Sequence, residues 1–355
     1  MKRTHNEQEK KRIRLRRGIV LVFGILILIA IFIGFWLFKT VMKPNVNTPG
    51  GKDFSLYIPT NATYRQVLDS LYEHDLIADK SSFEWMMAKK DYPDHVRPGR
   101  YVLKNKMSNH QLSNMLRGGL QTPVKLTFNN IRNIQMLAGR IGQQIEMDSA
   151  DLVALLNHTD SLRSWGFDQR TIPALFLPNT YEFYWNTNAD QFVKRMRQEY
   201  DKYWTEERRA KAKAVGLTPV QVSILASIVD KETNKTDEMA RIAGVYLNRL
   251  QSGWLLQADP TLVFASGDFE LKRVLNVHKE IESPYNTYKY IGLPPGPICI
   301  PSLAALNAVL NPEKHHFYYF CAKEDFSGYH NFAKTLIEHN RNAERYQREL
   351  RRRQH

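Results

Sequence analysis

The stretch LTPVQVSILASIVDKETNK, residues 217–235, carries most of what this chain says about itself. Thr218 followed by Pro219 is a helix start, because a threonine hydroxyl caps free backbone N–H groups and proline sits well where the first helical N–H has no partner anyway. At about 100° per residue, Val222, Leu225, Ile228 and Val229 form one apolar arc, with Ser223, Ser227, Asp230 and Lys231 on the opposite side. Glu232 falls inside the apolar arc, four residues after Ile228 and seven after Leu225. A carboxylate facing a core is expensive while charged, so burial raises its pKa and lets it keep a proton near neutral pH. A general acid that protonates a glycosidic oxygen needs that property. The competing reading is a glutamate at a helix end that pairs with a nearby arginine.

Downstream, the helical segment ARIAGVYLNRLQSGW (240–254) leads into LLQADPTLVF (255–264) and SPYNTYKYIGLPPGPI (283–298). These pieces gather Gln257, Asp259, Thr261, Tyr285, Asn286, Thr287 and Tyr288 around turns set by proline and glycine. Aromatic faces with amides and hydroxyls on rigid loops suit sugar rings, although ordinary turn chemistry uses the same residues. Upstream, ALFLPNTYEFYW (174–185) is aromatic and apolar with Pro178 in its middle, which predicts a loop or short strands. Helices are expected within 133–159 and over 189–214, and a strand over 123–128.

Nearer the N-terminus, Phe54, Leu56 and Ile58 alternate as a strand, and Val67, Leu68, Leu71 and Tyr72 have helical spacing. A helix is expected over 81–90 with Ser81 as its cap, and RPGRYVL (97–103) reads as a turn and a strand. A third helix over 108–117 should close at Gly118. Residues 41–53, VMKPNVNTPGGKD, read as a tether.

The first 17 residues hold eight Lys or Arg and two Glu, and residues 18–38, GIVLVFGILILIAIFIGFWLF, hold 21 residues without a charge. About 20 apolar residues cross a hydrocarbon core. A cleaved signal peptide would have a shorter apolar region and a small-residue cleavage site, whereas this run ends in Phe35, Trp36, Leu37, Phe38 and Lys39. The expectation is a retained single-pass anchor with its basic tail in the cytoplasm and the rest of the chain outside.

Over 355 residues the net charge is +14, with 43% hydrophobic and 24% charged residues. That composition excludes wholesale disorder, and the length suits about two domains. The tail carries +6 of the charge. An outer part beyond a membrane meets no genome, so nucleic acid is disfavoured and an anionic envelope polymer favoured. Cys299 and Cys321 are too few for a disulfide scaffold or a four-cysteine zinc site, and whether they pair is left open. No metal or cofactor site is read: His315 and His316 are adjacent and would diverge on a helix or strand.

Taken together, RPGRYVL, FLPNTYEF, LASIVDKET, VYLNRL, LQADPT, YNTY and GLPPGPI, in this order and spacing, resemble the MltG/YceG-like endolytic murein transglycosylases over nearly the whole chain. The resemblance implies an α+β fold: tail 1–17, transmembrane helix 18–38, linker 39–53, a lysin-motif-like (LysM-like) βααβ unit 54–122 and a lytic-transglycosylase-like catalytic domain 123–355. It implies cleavage of the β-1,4 bond between N-acetylmuramic acid and N-acetylglucosamine within glycan strands, without water, leaving a 1,6-anhydro end. Glu232 matches the family's catalytic Glu, acting first as acid and then as base. Substrate-lining positions map onto Gln257, Asp259, Thr261, Tyr285, Asn286 and Thr287. Peptidoglycan strands and the peptidoglycan synthases are the implied partners, at a bacterial inner membrane.

The sequence departs from the family pattern at three sites. Asp230 stands where Glu is common, Asn179 turns an expected PDTY into PNTY, and Asn129-Asn130 replaces an expected Glu-Gly. Glu182 is then the best second carboxylate of the aromatic loop, with a supporting catalytic role. Two other readings stay open: a hydrolase pairing Glu232 with Glu182 or Asp259, and a non-catalytic wall-binding scaffold gripping glycan through the small unit.

Overall fold

The computed structural model describes residues 2–271 and 273–354, with side-chain surroundings for 15–271 and 273–353. The fold is mixed α+β, with an apolar helix at its N-terminus. The chain divides into two compact units, residues 1–124 with 184–186, and residues 125–183 with 187–355.

In the first unit, helix α1 (Lys2–Met42) contains a span, Leu15–Met42, long and apolar enough to cross a membrane. Its Ile, Leu, Val and Phe side chains are exposed from Leu15 to Phe38, consistent with a membrane anchor. The side chains of tail residues 1–14 lie outside the described residues. Then come β1 (Phe54–Ile58), α2 (Tyr64–Glu73), α3 (Lys80–Lys89), β2 (Gly99–Leu103) and α4 (Asn109–Gly118). β1 and β2 pair antiparallel, Leu56 opposite Tyr101. Leu56, Ile58, Leu71, Phe83, Tyr101 and Leu112 close the core between strands and helices.

Three expectations for this unit need correction. Asp79, not Ser81, caps α3, accepting from the Ser82 N–H at 3.2 Å. The α4 helix closes at Gly119, whose φ of +66° favours glycine, and not at Gly118. Residues 43–52 are no tether. Asn45 and Val46 both donate backbone N–H bonds to the Met107 carbonyl, and the Asn45 amide bridges Asn109 Oδ1 at 2.7 Å and the Asp79 N–H at 2.6 Å. Val46 is 1% exposed. A Pro/Gly/Asn composition signals turns, and here those turns fold back onto the unit.

In the second unit, β3 (Val124–Phe128) pairs with β4 (Asn179–Phe183). Between them run α5 (Ile134–Gly142), α6 (Ser149–Asn157), α7 (Thr159–Ser164) and a 3-10 turn (Ile172–Leu175). The helical run expected over 189–214 is two helices, α8 (Ala189–Tyr203) and α9 (Glu206–Ala214). Trp204 turns inward at 2% exposure, and Thr205 starts the second helix by capping the Arg208 N–H.

Next come α10 (Pro219–Glu232), α11 (Met239–Gln251), α12 (Asp259–Ser266), a 3-10 turn (Asn276–Glu280) and α13 (Leu303–Leu310). The hairpin β5 (Tyr319–Ala322) and β6 (His330–Ala333) follows, and α14 (Leu336–Gln354) packs on it. The α10 helix is the axis of this unit, touching α9, α11, α12 and α13.

Candidate active site

Thr218 caps α10 by accepting from the Gln221 N–H, and Gln221 Oε1 accepts from the Thr218 N–H in return. The expected division into an apolar arc and a polar back does not hold. With helices around it, α10 buries every residue from Val222 to Val229, Ser223 and Ser227 included. Ser227 is satisfied there, donating to the Ile224 carbonyl at 2.7 Å and accepting from the Ile298 N–H at 2.9 Å. Asp230 accepts from the Ser302 hydroxyl, which itself caps α13. It is tied to structure, and Glu232 alone of the two carboxyls lines an opening.

Glu232 is half-buried at the last residue of α10. Burial pushes its carboxyl up to about 7; the Tyr246 hydroxyl, which donates to Glu232 Oε1, pulls it down, the Asp259 charge raises it and the Arg249 charge lowers it. Tyr246 is 1% exposed on α11, and Arg249 follows it by three residues, on the same face. The Arg249 guanidinium is fixed by the Leu256 carbonyl at 2.5 Å and the Tyr318 carbonyl at 2.7 Å. Beyond Glu232, Tyr288 donates to Asp259 Oδ1 at 2.5 Å. Burial and that hydrogen bond hold the Tyr288 phenol well above its ordinary value, so it stays a donor.

Two cavities meet at this carboxyl. One, of about 530 Å³, is walled by Pro260, Val263, Phe264, Phe269, Leu271 and Ile298 together with Arg132, Lys231 and Arg273. The other, of about 410 Å³, is walled by Tyr246, Arg249, Gln257, Tyr288, Tyr319, Phe320 and His330. Glu232 and Asp259 line both. The result is an open cleft with space on either side of one protonatable carboxyl.

The residues expected around it separate into two groups. Gln257 and Asp259 face the cleft; Gln257 has a φ of +50° and is held there by its N–H bond to the Thr287 carbonyl at 3.0 Å. Thr261, Asn286 and Thr287 do not face it, being at most 2% exposed. The Thr287 hydroxyl meets Thr261 Oγ1 at 2.8 Å and accepts from the Ala258 N–H at 3.0 Å. The Asn286 amide ties down the carbonyls of Lys279 and Ile281. These three hold the loop that presents Gln257 and Asp259. The Tyr285 ring packs tilted against Phe264, centroids 4.6 Å apart, and lies against Gly296, where a side chain would also strike the Arg170 carbonyl. Glu182 is exposed on β4 and lines neither cavity, because strand alternation buries Tyr181 and Phe183 instead.

Tyr246, Arg249 and Arg132 were not singled out from sequence. VYLNRL does place Tyr246 and Arg249 on one helical face, but nothing local says that a carboxyl lies opposite. Cys299 and Cys321 are free thiols, and His315 is occupied by the Arg241 carbonyl and the Phe317 N–H.

The YceG-like family model matches residues 56–345. The chain belongs to the YceG-like family. A Bacillus subtilis (strain 168) relative named endolytic murein transglycosylase is 26% identical to this YceG-like chain over 324 residues, 87% of this chain and 88% of that protein. A Streptococcus pneumoniae (serotype 2, strain D39) protein of the same name is 27% identical over 81% of this chain, which spans only 57% of that relative's length. A crystal structure of a yceG-like protein from Listeria monocytogenes superposes with a TM-score of 0.53 at 25% identity, covering 82% of this chain and 99% of that one.

Proposed function

We propose that this YceG-like protein is a membrane-anchored endolytic lytic transglycosylase acting on peptidoglycan glycan strands. The observation that carries the reading is one carboxyl, pushed up to about 7, between two cavities. Its relatives' name, endolytic murein transglycosylase, supports the substrate class. An enzyme that cuts within a strand needs room for sugar on both sides of its acid.

In this reading Glu232 gives its proton to the oxygen linking N-acetylmuramic acid to N-acetylglucosamine as the C1–O bond breaks. Glu232, now charged, takes the proton of the muramic C6 hydroxyl as that oxygen bonds to C1. The 1,6-anhydro ring closes, no water is consumed, and the carboxyl regains its proton. Asp259, oriented by the Tyr288 hydroxyl that donates to its Oδ1, faces the positive character that develops at C1. Tyr246 steadies Glu232 in its ionised stage.

In this reading the catalytic unit works outside a bacterial inner membrane, N-terminus inward, alongside the synthases that make the strands; the apolar span Leu15–Met42 supports the anchor. The small unit is read as LysM-like, on its strand–helix–helix–strand order.

A second reading has one observation in its favour: Asp259 lines both cavities with Glu232, as the second carboxylate of a hydrolase would. Product mass separates the two, since an anhydro end is lighter by one water than a reducing end. Glu232→Gln should lower the rate on purified strands by roughly 10²–10⁴-fold, the usual contribution of a general acid. Full activity in that variant removes the assignment, and reducing ends alone favour the hydrolase.

A further inference from the structure

The two arms of the cleft treat positive charge differently. In the arm of about 410 Å³, Arg249 is committed to the Leu256 and Tyr318 carbonyls, and His330 is 2.7 Å from Glu238. In the arm of about 530 Å³, Arg132, Lys231 and Arg273 line the wall, and none of the three is in an ion pair among the described residues. Arg132 is instead poised over the Phe269 ring, 4.4 Å from its centroid, so its guanidinium is held in place while its donors make no hydrogen bond among the described residues. Lys231 donates to Asn130 Oδ1 at 3.1 Å, a neutral amide that leaves its charge uncancelled. The acids in this arm offset only part of the three cations: they are two, Glu232 and Asp259, and Glu232 is about half protonated near pH 7. Scattered surface lysines and arginines mean little. Three unpaired cations on the wall of one concave site, between apolar side chains, concentrate a positive field where substrate enters.

We propose that this arm is a carboxylate-recognition subsite, in which Arg132, Lys231 and Arg273 take acid groups borne by a muramoyl residue beside the scissile bond. The inference rests on the reading of the substrate as peptidoglycan. Muramic acid differs from its partner sugar by a lactyl ether. That ether ends either in its own carboxylate, on a strand stripped of peptide, or in a stem peptide that carries further carboxylates. Both sources offer the planar anion that a guanidinium fork matches. The other arm, lined with tyrosines, is suited to the uncharged sugar faces. The charge difference would set which strands enter the cleft and in which direction they lie.

Binding is read with full-length Glu232→Gln protein in detergent and fluorescent strands of equal length. Four probes are used: strands with free stem-peptide carboxylates, the same strands amidated, strands stripped to the lactyl carboxylate, and stripped strands amidated. Amidation should weaken binding roughly tenfold within at least one pair, the low end of a charge-assisted contact at an exposed site. The pair that responds identifies the source. Adding Arg132→Gln and Arg273→Gln should erase the difference, while Arg132→Lys with Arg273→Lys should restore part of it. Arg273→Gln alone, which leaves the Phe269 stack intact, should halve the effect or more if the double variant does not fold. Equal binding of charged and amidated strands in both pairs overturns the subsite, and so does undiminished discrimination in the neutral variants. Cleavage is scored separately with unaltered protein: absence of anhydro ends removes the catalytic reading and leaves the binding comparison standing.

Discussion

The proton on Glu232 is balanced by neighbours that can be changed one at a time. Burial raises the carboxyl from the ordinary 4.5 to about 7 against the downward pull of Tyr246. Tyr246→Phe removes a donor that favours the ionised form, so the carboxyl should rise further. The alkaline limb of a kcat profile, where the acid form is lost, should then move upward by on the order of one unit, and the acid-form rate at pH 5.5 should change less than the rate above pH 7. A limb that stays or moves down shows that the Tyr246 bond does not set this proton. The same shift has a consequence for folding. The folded protein binds this proton more tightly than the unfolded chain does. The resulting stabilisation is complete below about 4.5 and is lost as pH rises through about 7. Glu232→Gln has nothing to ionise, so at pH 8 it should be more stable than the parent by about 2 kcal/mol after allowing for partial exposure, and should melt at a higher temperature. The gap should close near pH 4. Equal melting curves at pH 8 would mean that the carboxyl is ionised there without strain.

Helix α10 was legible from its ends: Thr218, Pro219 and the position of Glu232 set its bounds and its one unusual acid. Its surroundings were not legible, because a serine that bonds its own helix backbone, as Ser227 does, can be buried as readily as alanine. The loop after α11 misled in the opposite way. Polar residues in turns look ligand-facing, yet Thr261, Asn286 and Thr287 spend their groups on backbone. A sequence lists donors and acceptors without saying which are already matched, so Gln257 and Asp259 could not be told from the threonines behind them. Thr287→Val tests that division. It leaves the Ala258 N–H without a partner and breaks the Thr261 contact, so stability should fall by about 1–3 kcal/mol, with Thr287→Ser close to the parent. A Thr287→Val protein that melts like the parent but has a raised KM would return Thr287 to the substrate-binding set.

The net +14 divides between a tail with +6, adjoining an apolar span, and the remainder of the chain, whose cations include those of the cleft that form no ion pair among the described residues. What joins span to fold is the segment that composition marked as a tether, and here the structure makes a prediction that composition would reverse. A chain shortened to begin at Lys39 loses the exposed apolar face of α1 but keeps the Thr40 carbonyl that accepts from Asn109 at 2.9 Å, and it keeps Asn45 and Val46. A chain shortened to begin at Phe54 removes what looks expendable. It strips the Asn45 bonds to Asn109 and Asp79, uncovers the buried Asn109 amide, and opens the space filled by Val46. Lost hydrogen bonds and a lost buried aliphatic side chain together should cost about 3 kcal/mol or more. The Lys39 form should therefore be soluble without detergent and unfold within a few degrees of the full-length protein, whereas the first unit of the Phe54 form should unfold well below it. Differential scanning calorimetry of the two shortened chains decides the matter: coincident first transitions would show that residues 43–52 contribute nothing to the fold and serve as a tether.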